Sequence, residues 1–102
     1  MNRCCLSLVV CACALFVAPT YAADVAAGKA RSEESCVDCH GEDGKGDDSS
    51  PGIAGMSVDK FSKAIAEFQN GTRTRSAKMT KEAKKLSVAE VANLAAYYAT
   101  LK

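Results

Sequence analysis

Two cysteines three positions apart, with a histidine directly behind the second, constrain this chain more than any other feature: Cys36-Val37-Asp38-Cys39-His40. The pattern C-x-x-C-H is the one that attaches a c-type haem. Two thiols at that spacing reach the two vinyl groups of one porphyrin as thioethers. A histidine directly after them is then placed under the iron as an axial ligand, through an imidazole nitrogen. Two other readings use the same residues. A C-x-x-C pair is also a thioredoxin-like redox dithiol, or half of a zinc site. A structural zinc site asks for four ligands, and past residue 22 only Cys36, Cys39 and His40 are strong ones. A thioredoxin-like dithiol asks for a strand before it and a helix after it, whereas Gly41, Gly44 and Gly46 follow at once. Haem attachment gives each of the three residues a separate task.

The chain has 102 residues, enough for one small domain behind a leader. Residues 1–22 read as a secretory signal: Met1-Asn2-Arg3 is a positive start, Cys4 to Ala18 an apolar run, and Pro19-Thr20-Tyr21-Ala22 a small-residue exit. Cleavage is expected after Ala22, with Ala23 as the neighbouring choice. The apolar run is shorter than the roughly 20 residues that span a bilayer, so no stable membrane insertion is expected once the leader is gone. Cys4, Cys5, Cys11 and Cys13 all fall in this segment, so the six cysteines are no disulfide framework. Lipid attachment at Cys13, preceded by Val10-Cys11-Ala12, is the alternative processing; it would leave the apolar Ala14 to Ala18 dangling. The domain proper is then 23–102. So short a chain is marginal for a core of its own. A covalently held haem would supply the missing apolar centre, and the apoprotein is expected to be poorly folded.

Overall charge conceals an asymmetry. Asp24 to Asp48 holds eight acids against three bases, whereas Asp59 onward holds four acids against nine bases. Such a molecule carries a dipole that can orient it towards a charged partner. The balanced total and the lack of a recognition motif argue against nucleic acid.

The domain shows no strand-like alternation and no internal repeat. Asp24 is the N-cap of a first helix running towards Cys36. Gly28 within it costs about 1 kcal/mol relative to alanine, so it implies close approach by another helix. Gly41 to Gly55 reads as loop, and its Glu42 to Asp48 portion as surface clear of any cofactor. Ser57 caps a second helix that stops at Asn70-Gly71, with Val58, Phe61, Ala64, Ile65 and Phe68 as one apolar stripe. Gly71 to Lys85 is polar and basic, without apolar periodicity, and Met79 stands in its middle. Iron held by one histidine needs a sixth ligand to stay closed to small molecules, and a thioether suits it. No second histidine exists, and past the leader only Met56 and Met79 are available. Met79 is favoured, because a helix and a loop let the chain reach the far haem face before it. Ser87-Val88-Ala89-Glu90 is a capping box opening the last helix. Its buried face is expected to be Val88, Val91, Leu94, Ala95, Tyr98 and Leu101, with Tyr97 beside it, crossing the first helix at Gly28.

Taken together these residues resemble the class I, single-haem cytochromes c of bacteria. The likeness covers Gly28, Cys36 to Gly41, Asp43-Gly44-Lys45-Gly46, Pro51-Gly52-Ile53-Ala54-Gly55, Met79, and Leu86-Ser87 leading into Leu94-Ala95-Ala96-Tyr97-Tyr98. It implies an all-α fold, three main helices wrapped round one haem, the first and last crossing. It further implies Cys36 and Cys39 as thioether sites, His40 as proximal ligand and Met79 as distal ligand. The Pro51 carbonyl would accept a hydrogen bond from the other nitrogen of His40. Tryptophan, which some relatives place near the propionates, is absent; Arg73, Arg75 and Lys78 are the candidates by charge. The stretch from Pro51 onward is most similar to small periplasmic cytochromes and to the cytochrome subunits of flavocytochrome c sulfide dehydrogenases. The function implied is a periplasmic electron carrier, not an enzyme; the alternative is the haem subunit of a flavocytochrome c sulfide dehydrogenase complex. Redox proteins are the expected partners, a flavoprotein subunit or a terminal oxidase among them. A gas-binding or peroxidase-like haem protein would need an open sixth position.

Overall fold

A computed structural model describes residues 22–102. The leader reading of residues 1–22, apart from Ala22 itself, and the alternative at Cys13 lie outside the described residues. Among the described residues the chain forms five helices and no strand: α1 Val25–Ser35, α2 Val37–His40, α3 Val58–Asn70, α4 Ala77–Lys84 and α5 Val88–Thr100.

Among the described helices, α1 and α5 make the most extensive contact. Asp24 caps α1 by accepting from the Ala27 N–H at 3.1 Å, and its own N–H donates to Asn93 Oδ1 at 2.9 Å. A Cβ on Gly28 would sit 2.1 Å from the Asn93 carbonyl oxygen and 2.9 Å from Tyr97 Cβ. Only a residue without a side chain lets the two backbones meet there. One turn further on, Arg31 Nε donates to Glu90 Oε2 at 2.6 Å, and Arg31 also reaches Ser35 Oγ at 2.9 Å.

Each long helix begins as its cap residue dictates. Ser57 accepts from the Lys60 N–H at 3.2 Å, and α3 ends at Gly71 in the left-handed region, φ 80°. Ser87 and Glu90 form a reciprocal capping box, with the Glu90 N–H donating to Ser87 Oγ at 3.1 Å and the Ser87 N–H to Glu90 Oε1 at 3.0 Å. The buried core is Phe61, Ile65 and Phe68 of α3, Ala83 of α4, and Leu94, Ala95, Tyr97 and Tyr98 of α5. Of the other residues expected in the stripes, Ala64, Val91 and Leu101 are half-buried beside it, and two are exposed, Val58 by 46 % and Val88 by 90 %. Both are the first helical residue after a cap. Side chains lean towards the helix N-terminus, so these two project past the helix they were expected to face.

The segment 71–85, read as polar and basic without apolar periodicity, contains α4. Ser76 caps it, accepting from the Met79 N–H at 3.1 Å, and Lys81 and Lys84 fall in its last turn, where cations favour the helix dipole. Its apolar side chains packed on the core are only Met79 and Ala83, too few to register as periodicity. Ala83 is fully buried, and Gln69 Nε2 of α3 donates to the Ala83 and Leu86 carbonyls at 2.9 and 3.3 Å. α4 is thereby pinned to α3 at the end remote from its cap.

Candidate functional site

The first two helices deliver Cys36, Cys39 and His40 to one wall of a cavity of about 1000 Å³. Cys36 sits at the junction of α1 and α2, its N–H bonded to the Ser32 carbonyl at 2.8 Å. Neither Cys36 nor Cys39 is in a disulfide. The loop then returns across His40: the Gly46 N–H donates to the His40 carbonyl at 2.8 Å, and Gly44 O accepts from the Ile53 and Ala54 N–H groups at 2.7 and 2.9 Å. This folding carries Pro51 back over the imidazole. His40 Nδ1 lies 2.7 Å from the Pro51 carbonyl oxygen. A carbonyl only accepts, so the neutral ring holds its proton on Nδ1 and keeps the Nε2 lone pair free for a metal. Gly46 is indispensable to the return, at φ 69° with the Ser50 carbonyl 2.2 Å from where a Cβ would be.

The cavity's other walls are apolar side chains from three more elements: Ile53 and Met56, then Phe61, Ala64, Ile65 and Phe68 of α3, then Leu86 and Leu94. Met79, on the first turn of α4, also lines it. The structure therefore brings both Met56 and Met79 to the cavity, each partly buried against the core. Arg73, Arg75 and Lys78 all reach its rim. Arg73 is already occupied, 3.1 Å from Glu67 Oε2 and 5.5 Å above the Phe68 ring. Asp47 and Asp48, expected on a loop clear of the site, line the cavity instead. The cause is local: Asp47 Oδ1 accepts from the Ser49 and Ser50 N–H groups at 2.8 and 2.9 Å, a tight turn that folds the loop inward. The same bonds, that from the Ser49 N–H foremost, hold the Asp47 carboxyl below its ordinary range.

Burial pushes the Cys36 thiol above its ordinary value, against smaller opposing effects from Ser35 and Tyr98. The thiol is thus kept neutral at physiological pH, unlike the electropositive, activated cysteine of a dithiol oxidoreductase. Helix α1, not a strand, precedes the pair. Among the described residues no three of His, Cys, Asp and Glu are gathered as a metal cluster would require. Sequence reasoning missed two side chains near Cys36. Ser32 is fully buried, its hydroxyl donating to the Lys29 carbonyl at 2.7 Å. Tyr98, read only as core, also carries a hydroxyl into the interior. A serine inside an amphipathic helix gives no signal of its own until the partner helix is known.

Comparison with known proteins places this arrangement. The family described as cytochrome C oxidase, cbb3-type, subunit III matches residues 23–97. Cytochrome c-554(547) of Halothiobacillus neapolitanus is 34% identical over 91 residues, 79% of this chain and all of that protein. The cytochrome subunit of sulfide dehydrogenase of Chlorobaculum tepidum is 37% identical over 67 residues, 66% of this chain and 60% of that one. The solved structure of Acidithiobacillus ferrooxidans cytochrome c4 superposes with a TM-score of 0.71 at 32% identity, covering 82% of this chain and 53% of that chain. The described chain thus matches one relative over its whole length and spans little more than half of the other two. With the all-α class I cytochrome c fold shared as well, the chain belongs to the small bacterial c-type cytochromes of single-haem type, proteins that transfer electrons without catalysing a reaction of their own, and this kinship implies a covalently bound haem c.

Proposed function

We propose that the cavity holds one haem, bonded through Cys36 and Cys39, with His40 and Met79 as its axial ligands. The residues fit that group. Two unpaired thiols and one imidazole share a wall, the facing walls are aromatic and aliphatic, and thioethers are within the lining. Bound there, the haem would supply one iron able to pass between the ferric and ferrous states. The chain's part is to fill both axial positions and to keep water from the metal. Methionine ligation and partial burial both disfavour the extra charge of the ferric state, so the potential should be positive. The observation that carries the reading is the 2.7 Å contact of His40 Nδ1 with the Pro51 carbonyl, which orients the imidazole and leaves Nε2 free before any metal arrives.

We further propose that the protein is exported to the periplasm and works there as the haem-bearing subunit of a larger redox complex. A sulfide-oxidising flavoprotein is the favoured partner, because a named cytochrome subunit of sulfide dehydrogenase is among the relatives. The likeness to a cbb3-type oxidase subunit makes a terminal oxidase the other candidate. A free carrier is the second reading, supported by the end-to-end match to cytochrome c-554(547). Expression with a haem-ligation apparatus should give a coloured protein whose haem stays on the chain after denaturation; Cys36→Ala with Cys39→Ala should lose it. A colourless wild-type protein refutes the site. Capture of a flavoprotein by the coloured protein from its own periplasm supports the subunit reading, and a monomer with no flavin bound supports the free carrier.

A further inference from the structure

Among the described residues one buried side-chain polar atom lacks a hydrogen-bond partner, the Tyr98 hydroxyl. Tyr98 is 1% exposed, and a phenylalanine would fill the same space without burying an unpaired donor. The ring cannot swing the hydroxyl to water. It stacks on Phe61 with centroids 5.6 Å apart, leans on Tyr97 at 5.1 Å, and presses on Gly44, where a Cβ would lie 3.1 Å from Tyr98 Cε1. Cys36 packs against the core to which Tyr98 belongs, and it and Ser32 are the polar groups felt by the hydroxyl. Ser32 already has its own hydroxyl directed at the Lys29 carbonyl. Cys36 Sγ has only a long contact to Ser35 Oγ, 4.0 Å.

A thiol is both a weak donor and a weak acceptor, so its hydrogen competes with an approaching O–H. Addition of the thiol across a vinyl group forms an S–C bond and sends the thiol hydrogen to the other vinyl carbon, with no oxidant needed. The sulfur then accepts only. We propose that Tyr98 is a positioning residue whose hydroxyl donates to the Cys36 sulfur once that sulfur is a thioether, orienting the S–C bond and drawing electron density from the porphyrin edge. This rests on the reading of Cys36 as a haem attachment site.

The test uses the full-length haem-loaded protein, prepared in H2O and in D2O. Resonance Raman spectra follow the thioether C–S band, and a redox titration gives the potential. The wild-type band should move on deuteration, which needs no variant. In Tyr98→Phe the solvent effect should vanish and the potential fall, because the withdrawn density returns and favours ferric iron. Ser32→Ala should leave both readouts at wild-type values. A coloured wild-type protein whose C–S band ignores D2O overturns the inference alone, as does a Tyr98→Phe potential equal to wild type or a Ser32→Ala variant that reproduces its shift. A colourless wild-type protein overturns the haem reading and the inference together.

Discussion

A single imidazole decides what this chain can do, and its usefulness depends on which nitrogen carries the proton. The Pro51 carbonyl settles that from 11 residues away, across a loop stitched by Gly44 and Gly46. For the opposite ligand the cavity offers two identical thioethers, Met56 and Met79. Met79 sits on a capped helix whose position α3 fixes through Gln69, whereas Met56 lies in the loop before α3. A ligand on the more rigid element is the better one. Met79→Ala should therefore abolish low-spin methionine ligation, lower the potential and open the ferrous iron to carbon monoxide, while Met56→Ala should leave the spectrum low-spin. Absorption spectra of both oxidation states check it. At this scale the sequence was legible as pattern: Cys36, Cys39 and His40 stand out as one motif before any fold is known, and the structure brings all three to one cavity. The cavity-lining position of Asp47 and the buried hydroxyl of Tyr98 were not, since both follow from contacts with partners far along the chain.

Among the elements, α1 and α5 carry the fold, and their crossing was visible in advance because Gly28 is out of place inside an alanine-rich helix. Gly28→Ala separates two effects of opposite sign. Helix propensity alone would stabilise by about 1 kcal/mol, but the new Cβ would fall 2.1 Å from the Asn93 carbonyl, and overpacking of this kind costs about 1–3 kcal/mol. A net loss is expected, seen as a lower denaturant midpoint of the haem-loaded protein with an unchanged slope. Arg31 and Glu90 clamp the same pair of helices. The Ser87 N–H first, and then Arg31, hold the Glu90 carboxyl below its ordinary value. A carboxyl depressed on folding contributes stability that is present above its unfolded pKa and is lost as pH falls through its folded pKa. Stability should thus decline below the ordinary Glu range, and Glu90→Gln should flatten that decline in urea titrations at pH 3 to 6. The contribution is small, because the Glu90 side chain is 35% exposed and screened. Helix α4 escaped the sequence reading for a physical reason: capping and charge, rather than an apolar stripe, make it a helix.

At the scale of the whole molecule the two charged halves of the sequence converge on one opening. Asp38, Asp47 and Asp48 come to the cavity from the acidic half, and Arg75, Lys78 and Lys85 from the basic one. The charge asymmetry foreseen from composition therefore meets at the site, acids and bases lining one opening, which the order of residues along the chain could not reveal. An electron crosses fastest where the cofactor edge approaches the partner, so docking at this mouth should be steered by these side chains. The bases surround the proposed distal ligand, and an acidic partner surface is the one they fit. Its association rate should fall as salt rises, because the screening length shortens to about 8 Å at physiological ionic strength. Lys78→Glu should slow docking at low salt and Asp47→Lys should speed it, with both differences vanishing at high salt. Stopped-flow reduction by an acidic redox protein across a salt series measures all three. A rate that stays flat with salt, or an Asp47→Lys variant that slows, would mean that the partner is held by the apolar edge of the cavity instead and that the charge asymmetry serves only solubility.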